Sequence, residues 1–197
     1  MKFFTLRQLT AISMLCAISI ALVYFIRFPI IPTAPYLEFT PGDVPIFLAT
    51  IIFGPIAAFL MALITAFIQG LTVSAQGGFY GIIMNIAFMG SYTLALGIFL
   101  YFCKNKKSQP NYMYYIIGAM TLASIITTGV MILANLIVTP YFLGVTREEI
   151  EAMREVVIAM IIPALIPFNL LRAGINSVLA FAIWRAFPFE KFFESKR

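Results

Sequence analysis

The chain has 197 residues, 62% of them hydrophobic and 11% charged, with a formal net charge of +5 and no histidine. Soluble domains carry about 25% charged residues, so a water-soluble core is excluded and an integral membrane protein is implied. The missing histidine removes the usual general base, the commonest metal ligand and any Ser-His-Asp triad.

The apolar stretches are continuous and do not alternate with a period of two. They predict an all-α membrane protein, one compact bundle over residues 1–197, and argue against a β-barrel. The first segment, about Leu9–Ile26, follows Lys2 and Arg7. It is long enough to span and has no A-x-A-like cleavage site, so it reads as a retained helix and not a signal peptide. Ser13, Ala17 and Ala21 form a stripe of small residues spaced by four. Such stripes let helices approach closely in lipid; on spacing alone, packing inside the bundle is favoured over docking of a partner.

A polar loop, Arg27 to Asp43, carries Pro29, Pro32, Pro35 and Pro41. Its end, Tyr36-Leu-Glu-Phe-Thr-Pro-Gly-Asp-Val-Pro45, is dense in turn formers and aromatics and has the shape of a lid over a pocket. Glu38 and Phe39 are its candidate ligand contacts, whereas Asp43 is expected to cap the next helix, with Pro45 in the first turn. The second segment, about Val44–Phe53, falls short of the 20 or so residues of a straight span and ends at the turn signal Gly54-Pro55. The third, about Ile56–Val73, breaks at Gln76-Gly77-Gly78, and the fourth, about Tyr80–Phe102, stops at Lys104, Lys106 and Lys107. The fifth, about Tyr112–Val138, is expected to stop at Pro140. Thr146–Glu155 reads as a short solvated amphipathic turn ahead of the sixth segment, Val156–Trp184. Cys16 and Cys103 lie in or beside apolar segments, which argues against a disulfide framework.

Six crossings would put both termini and the Lys104–Lys107 loop on one side. That side holds Lys2, Arg7, Lys104, Lys106, Lys107, Arg185, Lys191, Lys196 and Arg197 against Glu190 and Glu194. The other side holds Arg27, Arg147 and Arg154 against Glu38, Asp43, Glu148, Glu149, Glu151 and Glu155. The bias places the N- and C-termini in the cytoplasm. The net charge is thus a topological signal, with some attraction to anionic membrane lipid, and requires no nucleic-acid partner.

Arg172 is a permanent cation inside the sixth segment. A charge at membrane depth costs roughly 2.5–3.5 kcal/mol on insertion scales, so it marks a functional site or a buried pair facing the bundle interior. Asn169, three residues earlier, shares its helix face. Pro163 and Pro167 should kink the outer half of this helix. Arg172 then lies about 20 Å from the inner end, in the outer half of the membrane. Three readings stay open for it: a contact to a bound ligand, an arginine snorkelling outward, or a salt bridge to an acid of another helix. Asn135, just before Thr139-Pro140-Tyr141, should lie at similar depth and offers the donor and acceptor that an amide or imide requires. Asn85 and Asn176 read as structural hydrogen bonders. No phosphate loop, proton relay or channel filter is present in the sequence.

Six short spans, the loop L-E-F-T-P-G-D-V-P followed by I-F-G-P, and P-F-N-L-L-R-A-G in the last helix resemble the S components of energy-coupling factor (ECF) transporters. These are small membrane proteins that capture vitamins for uptake by prokaryotic cells. Asn169 and Arg172 in an N-x-x-[KR] pattern, with Asn135 upstream, are most similar to the riboflavin-binding members. The resemblance implies a cell-membrane protein with an extracytoplasmic pocket roofed by the first outer loop. Asn135, Asn169 and Arg172 would hydrogen-bond the flavin edge; beside what the resemblance implies, Glu38, Phe39 and Tyr141 are the further candidate substrate contacts read from the residues. Riboflavin would be cargo, with no cofactor and no catalytic residue. The Ala17–Ala21 stripe, with Ser13, would meet the transmembrane coupling subunit, and two ATPase subunits would supply the energy. Another vitamin or precursor (pantothenate, pyridoxine or thiamine-related) and a membrane-embedded enzyme or assembly factor acting on lipid are the competing readings.

Overall fold

The computed structural model describes residues 4–32, 34–73, 77–106, 111–143, 146–187 and 189. Several charges used to orient the chain (Lys2, Lys107, Glu190, Lys191, Glu194, Lys196 and Arg197) lie outside the described residues, as does the break at Gln76. The described elements are α1 (Leu6–Phe25), a two-residue hairpin pair β1 (Phe28–Pro29) and β2 (Glu38–Phe39), α2 (Val44–Phe53) and α3 (Pro55–Leu71). They continue with α4 (Gly78–Phe102), α5 (Tyr112–Leu143), α6 (Arg147–Met160) and α7 (Ile166–Ala186).

All six apolar segments are helical. Among the described residues Leu6–Phe25, Gly78–Phe102, Tyr112–Phe142 and the run Arg147–Ala186 are long and apolar enough to cross a membrane; Pro41–Phe53 and Pro55–Leu71 are apolar but shorter. The molecule is therefore an all-α membrane protein. Its outer faces carry exposed Ile64, Phe67, Leu94, Ile98, Ile126, Leu133, Ile137 and Val178, as lipid contact demands. Hydroxyls inside the helices find partners on their own backbone: Thr50 donates to the Ile46 carbonyl, Thr65 to Met61 and Thr128 to Ser124.

The short α2 is the hub. Seven of its ten residues, Val44 to Thr50, are buried, and it packs against α1, α3, α4 and α7. Phe47 stacks on Tyr92 with ring centroids 3.5 Å apart, above Met61, Phe88, Met89 and Leu96 of the core. Gly54 has φ of 90°, a left-handed backbone that lets α2 turn at once into α3.

Three expectations change here. Helix α5 continues through Pro140 to Leu143; a proline in the last turn forfeits one backbone hydrogen bond, which the end of a long, well-packed helix tolerates. The charged insert is no solvated turn but α6, a 14-residue helix started by a capping box in which Thr146 and Glu149 satisfy each other's backbone N–H groups. The outer half of the last segment does not merely kink: around Pro163 and just ahead of Pro167 it widens into a π-type turn, Ile161–Leu165, where the Ile166 N–H reaches back to the Ile161 carbonyl.

Candidate functional site

The loop between α1 and α2 folds down over the junction of α6 and α7. Ile31 and Ala34 bury themselves against Ala164 and Phe168, with Ile30, Leu37 and Met160 packed alongside. The hairpin pairs Phe28 with Phe39 and Pro29 with Glu38, and the Phe28 and Phe39 rings lie 5.5 Å apart. Arg27 ties the loop's two ends together and to the turn that follows α3: Nη2 lies 2.6 Å from Glu38 Oε2, and Nη1 donates to the Val73 carbonyl at 2.8 Å. Tyr36 donates to Met160 Sδ at 3.0 Å.

The loop ends in a tight turn, Pro41–Asp43, fixed from two sides. Thr40 Oγ1 accepts from the Gly42 N–H at 3.1 Å, and buried Ser19 of α1 donates to the Gly42 carbonyl at 2.6 Å. A Cβ at Gly42 would lie 2.3 Å from Val23 Cγ2 and 3.0 Å from the Ser19 carbonyl oxygen. Only glycine allows this approach. Its effect is to deliver Asp43, 1% exposed, to the interior.

Asp43 occupies the N-cap position of α2 but makes no capping bond with its side chain, contrary to the expectation from sequence. The carboxylate instead takes a fork from Arg172 of α7, Nε to Oδ2 at 2.8 Å and Nη2 to Oδ1 at 3.1 Å. A charge-assisted bidentate pair outcompetes one cap bond when both partners are cut off from water. The guanidinium carbon lies 3.9 Å from the centroid of the Phe88 ring. Asn176, one turn further along α7, points its Nδ2 at the Thr40 carbonyl (3.1 Å), Asp43 Oδ2 (3.3 Å) and the Arg172 carbonyl (2.9 Å). Tyr92 of α4 hydrogen-bonds Ser177 beneath this cluster. Loop, α2, α4 and α7 thus meet at one polar knot in an apolar bundle.

The residues singled out from sequence are distributed as follows. Asn169 and Arg172 are buried on α7. Asn169 donates to the Leu165 carbonyl at 2.8 Å, while its Oδ1 is a buried acceptor with no partner. Asn135 is buried on α5, which packs along α7, and is engaged within its own helix: Nδ2 donates to the Met131 carbonyl at 2.8 Å and Oδ1 accepts from Thr139 at 3.1 Å. Phe39 is buried in the loop, whereas Glu38 is exposed and paired with Arg27. Tyr141 is 51% exposed beside a cleft of about 360 Å³ lined also by Arg147, Ile150, Glu151 and Arg154. A second cleft, about 350 Å³ and mostly apolar, opens between α5 and α7 at Met120, Ser124, Gly174 and Ser177. Neither lining includes Asn135, Asn169 or Arg172. Asn176 is the structural hydrogen bonder expected of it, with its Oδ1 also unpartnered. Phe88 and Gly42 escaped the sequence reading, and Asp43 entered it only as a helix cap, not as the partner of Arg172. The signal for Asp43 was present: a buried arginine requires an acid, and Asp43 heads an apolar helix.

Ser13, Ala17 and Ala21 face outward on α1; the buried side is Cys16, Ser19 and Val23. Packing of the stripe inside the bundle is thereby overturned. Both cysteines are free. Among the described residues no cluster of three or more acidic or cysteine side chains could hold a metal.

Residues 7–184 match the family model described as ECF transporter, substrate-specific component. The chain is 31% identical over 180 residues to a riboflavin transporter RibU of Staphylococcus aureus, covering 91% of this chain and 89% of that one. It is 29% identical over 181 residues to a riboflavin transporter RibU of Streptococcus thermophilus, with 90% and 80% covered. A solved structure reported under "Structure and mechanism of the S component of a bacterial ECF transporter" superposes with a TM-score of 0.72 at 28% identity, over 96% of this chain and 98% of that one.

Proposed function

From the premise that the chain belongs to the ECF transporter substrate-specific components, we propose that it captures riboflavin in the outer half of the membrane, beneath the loop 27–43. Membership makes it a transport component of the membrane and not an enzyme. The finer reading has six spans, with α2 and α3 as short crossings and both termini cytoplasmic, following the lysine and arginine bias.

The observation that carries the ligand assignment is the unpartnered Oδ1 of Asn169, one helical turn from a guanidinium that spends only two of its five N–H groups on Asp43. An orphan acceptor beside spare donors complements an imide edge, which offers an N–H flanked by carbonyls. In this reading Asn169 Oδ1 accepts the imide N–H and Arg172 donates to an adjacent carbonyl. Asn135 contributes from α5, and buried Phe39 supplies an apolar face to the ring. Glu38 acts through Arg27 by holding the loop shut, and Tyr141 stands at the outer rim. The RibU relatives support riboflavin as the imide-bearing vitamin. Energy and release belong to partner subunits, a transmembrane coupling protein and two ATPases. The outward stripe Ser13, Ala17 and Ala21 is the face offered to the first.

The test is a titration of ligand-free protein in detergent with riboflavin, read by quenching of flavin fluorescence. Submicromolar affinity is expected; binding no tighter than about millimolar would refute the assignment.

A further inference from the structure

Building on the riboflavin reading, we infer that Asp43 is a positioning residue of the vitamin site that holds Arg172 as half of a neutral pair and so restricts the site to uncharged guests. The Asp43 side chain is 2% exposed and that of Arg172 11%. Their charges cancel where water cannot screen them. The fork fixes the guanidinium plane against Phe88, so the remaining N–H groups are aimed donors that bring no net charge. Asp43 is also the last residue of the Pro41–Asp43 turn, and Asn176 bonds both it and the Thr40 carbonyl. The same carboxylate therefore locks the loop onto α7. Loss of its charge would leave a lone buried cation, which favours an anionic guest.

The imide N–H of riboflavin ionises in alkaline solution, so one ligand presents both charge states. Few groups confuse the comparison. Helix α5 has no ionisable side chain between Tyr115 and Tyr141, α2 has none, α1 packs Ser19 and Val23 toward the turn, and the loop's Glu38 is paired with Arg27. Tyr92 of α4, bonded to Ser177, is common to every variant compared.

Riboflavin affinity is measured from neutral to alkaline pH for the intact protein, Asp43→Asn, and the double variant Asp43→Asn/Arg172→Gln. The intact protein should lose affinity as the imide ionises. Asp43→Asn should bind neutral riboflavin about tenfold more weakly, because the fork is gone, yet lose far less on ionisation, because Arg172 is unmatched. The double variant, neutral again, should regain the steep profile of the intact protein with weak affinity throughout. A purely structural Asp43 would lower every affinity by one factor and leave all three profiles parallel; that result overturns the inference. If Asp43→Asn is recovered only unfolded, Asp43→Ala purified in formate supplies the missing carboxylate. Removing the formate must then flatten the profile, and an unaltered profile refutes the proposal. Absence of riboflavin binding by the intact protein would instead strike the function reading on which this rests.

Discussion

Helices α1 and α7 are near twins in length, 20 and 21 residues, and both are predominantly apolar. The bundle uses them in opposite ways. Helix α7 turns Asn169, Arg172, Asn176 and Ser177 inward, whereas α1 buries little beyond Cys16, Ser19 and Val23 and turns Ser13, Ala17 and Ala21 outward. In water that arrangement would be upside down. In lipid there is no hydrophobic gain from packing helices together, so polarity goes inside to find partners and small residues mark where another helix could come close. The contrast is between an inward polar face and an outward small-residue face, proposed as binding wall and approach surface, and it can be broken from either side.

The largest effect is expected at Arg172. Arg172→Ala strands the Asp43 carboxylate in a dry interior, and removing one partner of a buried pair costs about 3–5 kcal/mol. Riboflavin affinity should fall by about 100-fold or more, since the aimed donors vanish with the charge. Thermal unfolding and flavin titration on the same preparation check both. If both stay near those of the intact protein, the interior polarity of α7 is dispensable and the contrast with α1 fails.

Gly42→Ala comes next and acts where the two helices are linked through the loop. The new methyl would collide with Val23 Cγ2, part of a stiff and buried branched side chain, and press on the Ser19 carbonyl, so α1 has to shift. Overpacking of this kind costs about 1–3 kcal/mol, read as a lower unfolding temperature. Affinity should fall with it, because the displaced turn carries Asp43.

Much of this was legible in the sequence because lipid enforces simple rules. Continuous apolar runs gave the helices, and proline spacing located the irregular turn in the last one. The lone arginine announced a buried polar site. Four things were hidden, each for a physical reason. Spacing cannot say whether a small-residue stripe faces in or out, because both close packing and docking select the same residues. Pro140 was read as a stop, although tertiary packing carries α5 past it. Thr146-Arg-Glu-Glu149 is a capping box, but high charge density masked it as a turn. Asp43 was assigned to a local cap, which local sequence always offers, while its partner Arg172 lies 129 residues away. Pairing over that distance leaves nothing in local spacing, and its one signal was the buried arginine's need for an acid.

Glu38→Gln should do little. Its partner Arg27 is part-exposed, and ion pairs open to solvent contribute about 0–1 kcal/mol. Arg27 also keeps its bond to the Val73 carbonyl, so the loop retains one tie when the other goes. Riboflavin affinity should change by less than about threefold. A loss as large as that of Arg172→Ala would move Glu38 from the loop's fastening into direct contact with the vitamin.

Ala17→Leu should have the smallest effect on the isolated protein and the clearest one in cells. Ala17 is exposed on α1, so a longer side chain meets lipid or detergent and stability should shift by no more than about 0.5 kcal/mol. Riboflavin binding should be unchanged, because nothing on that face reaches the knot of Asp43, Arg172 and Asn176. Uptake by cells that also hold the coupling and ATPase subunits should fall sharply, since a leucine there blocks the close approach that small residues permit. Normal uptake would remove α1 from the approach surface. Weakened binding by the purified protein would be more damaging, because it would make the outward face of α1 part of the same site as the inward face of α7.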